Sequence, residues 1–249
     1  MVKKVLLALL LAVFIVACAD DSTKEAKQYA LEKALDDRDF DYVIRTLARA
    51  DGDYSNMSIR HKYILQVAWM GRSGLNILNN LDSFFEDNVD FVTILSSVQT
   101  GSDNMTLQDI RYKRTSYYDN VTHIADMYNP TNDPNIDMAA GFAASMNVLM
   151  AMAEISLNVS GSNTVDFDKL FDAFDFNIPG MELAIDNAID DNMLRMLNND
   201  LAYIETVANS IEYGEDVKDK IDEYINELTD PSGNITRNSI NGFLRKHSS

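Results

Sequence analysis

Cysteine is almost absent: Cys18 is the only one in 249 residues. That excludes an internal disulfide, and a chain of this length can bury a core large enough to do without one. Proline (4) and glycine (10) are scarce as well. All-β folds use both in tight turns, so their scarcity favours helices joined by Asn, Asp and Ser turns. Positive charge is short: 21 Lys and Arg stand against 39 Asp and Glu, a formal net charge of −18. Nucleic-acid affinity rests on Lys and Arg neutralising phosphates, so nucleic acid is excluded as a partner. Anionic headgroups are repelled too, so a membrane link must come from something other than a basic patch. Also missing are G-x-S-x-G, a P-loop, a dinucleotide fingerprint and H-E-x-x-H. No catalytic residue stands out, and no cofactor or metal is implied.

What is present is a hydrophobic share of 46%, sufficient for a well-packed domain and too high for wholesale disorder. The first stretch is distinctive. Lys3 and Lys4 precede Val5 to Ala17, an unbroken apolar run. As a helix this run spans roughly 20 Å, short of a ~30 Å hydrocarbon core. A basic start, a short apolar run and a small residue at its end fit a secretory signal segment.

The run closes in Ile15-Val16-Ala17-Cys18. This resembles the lipobox of bacterial lipoproteins: an aliphatic residue, a tolerant position, a small residue, then cysteine. The resemblance implies cleavage between Ala17 and Cys18 and acylation of the Cys18 thiol, which would consume it for catalysis, metal binding or disulfides. Several acyl chains anchor stably where one is marginal. Ala19, rather than aspartate, follows the cysteine, which in enteric bacteria favours the outer membrane over the inner. The implied layout is a signal peptide at 1–17, a lipidated tether at 18–24, and one helical domain at 25–249 facing the periplasm. A plain signal peptide and an uncleaved anchor are the competing readings. In such a compartment the N-x-[ST] sequons at Asn56, Asn104, Asn120, Asn158 and Asn234 read as chance products of an Asn-rich chain.

Apolar residues then recur at helical spacing. Helices are expected over Thr23 to Leu35, Phe40 to Ala50, Met57 to Met70, Leu75 to Phe85, Asn88 to Val98 and Leu107 to Tyr128. Asn129-Pro130-Thr131-Asn132-Asp133-Pro134 is the clearest break, a candidate sub-boundary near 129–135. Ile136 to Leu157 is apolar on nearly every face. Asn147 and Glu154 within it argue for a central buried helix rather than a membrane span. Further helices are expected over Val165 to Phe174, Met181 to Ile211, Asp216 to Leu228 and Asn238 to Lys246, the last capped by Thr236 or Asn238. The expected class is all-α, about eight to eleven helices in an irregular superhelix or bundle of antiparallel hairpins.

"ALEKALDDRDFDYVIRTLARA", residues 30 to 50, resembles the end of one helix, the turn and the second helix of a tetratricopeptide-type repeat. Asp39-Phe40 stand at its acidic-aromatic turn pair, and Val43, Leu47 and Ala50 at its packing positions. Leu31 departs from the usual small residue, and no clean copy follows about 34 residues on. Residues 63 to 81 read as a degenerate continuation with Ala68 and Gly71 as small packing positions. The layout is similar to that of helical-repeat lipoproteins such as the T-component proteins associated with TRAP-type solute transporters.

Candidate chemistry is thin. Of the three histidines, His61 sits between Arg60 and Lys62 and His247 near the end of the sequence; His123 shares a helix face with Asp119 and Asp126. That trio suits a metal or acid–base pair but reads more simply as a solvated face. Acidic clusters recur at Asp36/Asp37/Asp39/Asp41, Asp166/Asp168 and Asp186/Asp190/Asp191. "TDPSGNIT", 229 to 236, has the glycine and isoleucine of an EF-hand loop, but alignment puts Leu228 and Ser239 where Asp and Glu are required. Met138, Met146, Met150 and Met152 could line an adaptable apolar cavity, closed by Phe167, Phe171, Phe174 and Phe176, or simply pack a core. Tyr112, Tyr117, Tyr118 and Tyr128 with Trp69 could line a groove.

The expected function is a lipid-anchored, non-enzymatic helical-repeat adaptor or assembly factor in the bacterial cell envelope. Its membrane contact runs through acyl chains on Cys18, and its partner would be a protein. The alternative is a carrier of a small, mostly apolar solute that serves a transporter. An exposed stripe around Tyr63 and Trp69 would favour the first, and a pocket lined by Met138, Met146, Met150 and Phe171 the second.

Overall fold

The computed structural model describes residues 24–74, 92, 105–126, 134–210 and 215–248. Cys18, Ala17 and the rest of the leader lie outside them, as do the helices expected over 75–85 and 88–98 (Val92 aside) and the 129–133 break. The fold is all-α. Apart from one antiparallel two-residue bridge, Met105–Thr106 (β1) with Thr164–Val165 (β2), the described residues form helices, turns and loops.

The chain opens with α1 (Lys24–Asp36), α2 (Phe40–Leu47) and α3 (Ile59–Ser73). Leu31, Ala34, Val43, Ile64 and Ala68 bury together, joining the three helices in one small core. Asp39 caps α2, accepting from the Tyr42 amide at 3.1 Å. The aromatic that follows it explains the small residue on α3: a Cβ on Gly71 would lie 2.3 Å from Cζ of Phe40. Glycine here permits a close ring-to-helix approach. α2 stops at Leu47, three residues before the expected Ala50, because Ala48 turns extended (ψ 136°). The released chain places Tyr54 in a second small cluster with Leu65 and Ile124.

α4 (Leu107–Lys113) begins at a capping box between Thr106 and Asp109. It runs into a widened π-helical turn at Arg114–Tyr118 and then α5 (Asp119–Asp126). The expected single helix from Leu107 is therefore interrupted, although its course is right.

α6 (Pro134–Ser160) is the centre of the molecule. Ala140, Ala143, Ala144, Val148, Ala151, Met152 and Ile155 are all sealed from solvent. Ala139–Ser160 is long and apolar enough to cross a membrane, yet 94% of its most apolar window is buried inside the protein. An all-round apolar helix is what a core position selects. Around it pack α3, α5, the π turn, a 3₁₀ segment (Phe167–Ala173), α7 (Met181–Ala188) and, most extensively, α8 (Asp191–Ser210). α9 (Glu215–Leu228) lies on α8, and α10 (Arg237–His247) on α9 and α7.

The helix expected from Met181 to Ile211 is two. Ile189 is extended and buried, and its carbonyl accepts from the Arg237 guanidinium at 2.9 Å. Asp190 then caps α8, accepting from the Met193 amide at 2.7 Å. α8 buries Met193, Leu197, Asp200, Leu201, Ile204 and Ala208, one face at helical spacing. Thr236 caps α10 in a reciprocal box with Ser239. The 229–236 stretch closes on itself: Asp230 accepts from the Ser232 and Asn234 amides, and Gly233 takes φ +79°. The main hydrophobic cluster draws on both sides of 129–135, from Met70 and Val121 to Ala139 and Leu244.

Candidate functional site

Polar residues enter this apolar centre at two linked places. The first is on α6, where Glu154 points at the end of α4. Its Oε1 accepts from Arg111, at 2.9 Å from Nε and 2.6 Å from a terminal nitrogen, and its Oε2 accepts from Arg114 at 2.9 Å. Glu154 is 6% exposed and Arg114 5%, whereas the Arg111 side chain is 59% exposed. One carboxylate thus faces two guanidiniums, one in the core and one in solvent. Arg114 has further donors. One terminal nitrogen faces the Met196 sulfur at 3.8 Å, and Nε has no hydrogen-bond partner among the described residues.

The second place lies two turns earlier on α6. Asn147 donates from Nδ2 to Asp119 on α5 at 3.3 Å and to Asp200 on α8 at 3.4 Å. Both bonds are long. Asn147 Oδ1 and Asp200 Oδ2 are buried with no partner among the described residues. Burial pushes the Asp200 carboxyl up to about 8, against the smaller pull of the Asn147 amide and the Arg114 charge. Asp119 is raised for the same first reason. Burial also raises Tyr118, Tyr203 and Tyr224; the Tyr203 hydroxyl donates to Asp126.

Beside these groups a cleft of about 220 Å³ opens between the π turn, α6 and the start of α8. Arg111, Arg114, Asp119, Glu154 and Asp190 line it, with Met193 and Met196 supplying its apolar side. It is therefore polar and charged. The residues expected to line an apolar pocket are elsewhere. Met146 and Met150 are sealed in the core. Met138 lies on α6 with its side chain outside those described. Phe171 is half-buried against Phe243 and His247, at 6.1 and 5.5 Å between rings. Met146, Met150 and Phe171 do not line the cleft.

The expected aromatic stripe also divides. Tyr63 is 41% exposed on α3, while Trp69, six residues on, faces inward with its ring 6.0 Å from that of Tyr117. Tyr112 stands exposed at the end of that ring series, 5.4 Å from Tyr117. Tyr118 belongs to the core, and Tyr128 lies outside the described residues.

His123, Asp119 and Asp126 do not converge, although they share a helix. Each finds a partner on a different element: His123 the Gly52 carbonyl at 3.2 Å and the Tyr54 ring, Asp119 Asn147, and Asp126 Tyr203. His123 is partly buried while Asp119 and Asp126 are exposed, so the face keeps much of the solvated character expected of it. Among the described residues no cluster of His, Cys, Asp and Glu could hold a metal ion. The acidic clusters separate likewise into caps and pairs: Asp39 and Asp190 cap helices, Asp41 meets Arg72 at 2.8 Å, and Asp191 meets Arg237 at 2.9 Å.

Arg111, Arg114, Asp200 and the full role of Glu154 and Asn147 are what sequence reasoning missed. The available signal was Asp200, a carboxylate on the apolar face of an amphipathic helix, and Glu154 within the most apolar helix. No family model, curated protein or solved structure matches this chain.

Proposed function

We propose that this chain is a lipid-anchored, non-enzymatic adaptor of the bacterial cell envelope, held to the outer membrane through Cys18. Its first three helices would form a tetratricopeptide-like hairpin unit that receives a partner protein in the periplasm. The observation carrying this reading is a set of exposed apolar and aromatic side chains on those helices. Tyr29 on α1 is 68% exposed, and Ile59 and Tyr63 on α3 are 44% and 41% exposed. The set spans two helices. Arg60 pairs with Glu32; Tyr29 lies one turn from Glu32, and Tyr63 one turn from Arg60. Exposed tyrosines around a charged pair suit a protein contact, because each ring offers a large apolar area and a hydroxyl for the rim. The chain's net charge of −18 favours a partner presenting a basic face, through faster encounter and rejection of acidic competitors.

Site-specific photo-crosslinking in intact cells tests the reading. A crosslinker at Tyr29 or Tyr63 should give one discrete protein adduct, and one at exposed Leu183 on α7 should not. Equal labelling at all three positions would overturn it. The rival reading, a carrier of an apolar solute, draws less support, since Met146 and Met150 are fully packed.

A further inference from the structure

We propose that the cleft between the π turn, α6 and the start of α8 binds a small zwitterion bearing a carboxylate and an ammonium group, of the α-amino-acid kind. This is a ligand site separate from the aromatic strip. Its cationic wall is Arg111 and Arg114, which share the single carboxylate of Glu154. Two guanidiniums against one carboxylate leave a local positive charge and unused N–H donors. In Arg114 those donors are buried: Nε has no partner among the described residues, and one terminal nitrogen has only the Met196 sulfur at 3.8 Å. A buried guanidinium with unmet donors is costly, and its planar fork matches a carboxylate. The ligand's carboxylate would be met by Arg111, whose side chain is largely in solvent, and by the Arg114 terminal nitrogen that faces Met196; the sealed Nε lies out of its reach.

The rest of the cleft rejects a simple anion. Asp119 and Asp190 line it as well. A lone carboxylate would meet their repulsion, and a lone ammonium would meet the two arginines. A molecule with both charges a few ångströms apart satisfies both sides. At about 220 Å³ the cleft has room for a small amino acid. Met193 and Met196 offer an adaptable apolar side for a short aliphatic side chain. The π turn begins at Arg114 itself, and such widened turns recur where a helix is adapted to a ligand.

Calorimetric titration of the full chain tests this, using glycine, L-alanine, L-serine and L-valine as probes. Isovalerate carries the carboxylate of L-valine alone, and isobutylamine the ammonium. Saturable binding with a Kd below about 1 mM is expected for at least one amino acid, with both half-ligands weaker by about tenfold or more. Arg111→Gln should weaken that binding about tenfold without unfolding the chain, since the side chain is largely in solvent. Asp190→Asn should do the same while keeping the cap on α8, because asparagine caps as well as aspartate. Circular dichroism of both variants checks the fold. No saturable binding of any amino acid, isovalerate binding as tightly as L-valine, or affinity unmoved by both substitutions would each overturn the proposal.

Discussion

Glu154→Gln is the substitution to which this fold should respond most sharply. It removes the counter-charge of Arg114, which is 5% exposed in the packed centre of the protein. Breaking a buried ion pair by removing one partner costs about 3–5 kcal/mol, because the remaining charge stays buried. For a chain of this length that is a fall of roughly 6–20 °C in Tm. The same carboxylate offers an internal control. Arg111 also binds Glu154, but its side chain is 59% exposed. An exposed pair contributes about 1 kcal/mol or less, so Arg111→Gln should be nearly silent in stability. Replacing both buried partners, Glu154→Gln with Arg114→Met, should recover most of the loss, since an unbranched apolar side chain of similar length leaves no charge behind. Denaturant titrations of the four proteins, followed by far-ultraviolet circular dichroism, make the comparison. A Glu154→Gln variant within about 1 kcal/mol of wild type would refute the reasoning, as would a double variant no more stable than the single one.

Two further outcomes are expected. Asp200 stays protonated to about pH 8 in the folded chain, whereas an unfolded aspartate ionises near ~3.9. Between those values the unfolded state gives up a proton that the native state keeps. The Asp200 contribution is therefore full below about pH 4 and lost as pH rises to about 8. Asp200→Asn should flatten the stability–pH profile and gain over wild type as pH rises; parallel profiles from chemical denaturation would contradict this. Gly71→Ala drives a methyl into the Phe40 ring and should destabilise by about 1–3 kcal/mol. Phe40→Leu in the same chain should reduce that penalty in thermal melts.

Periodicity made the class and most helices legible, because a buried helix face repeats along the chain whatever its neighbours are. The resemblance to a tetratricopeptide-type repeat put Asp39-Phe40 at a turn and marked Gly71 as a packing position. What periodicity missed was set by tertiary partners. The break at Ile189 depends on Arg237, 48 residues on, which donates to that turn's carbonyl. His123 shares a helix face with two aspartates, yet what decides its role is Gly52 and Tyr54 from the α2–α3 connection. The cleft is the clearest case. Arg111, Arg114 and Asp119 read as ordinary charges on a polar helix until α6 and α8 bring Glu154, Asn147 and Asp200 against them. Trp69 and Tyr63 looked like one stripe because both are aromatic, but six residues on a helix place them on different faces.

The proposed function rests on Cys18 joining this acidic helical domain to a membrane. Mass spectrometry of the membrane-extracted protein, for the wild type and Cys18→Ser, tests it directly. The wild type should begin at Cys18 and carry the mass of its acyl chains, while Cys18→Ser should retain residues 1–17 and lose them. A mature protein of identical processing and membrane partition in both strains would contradict it.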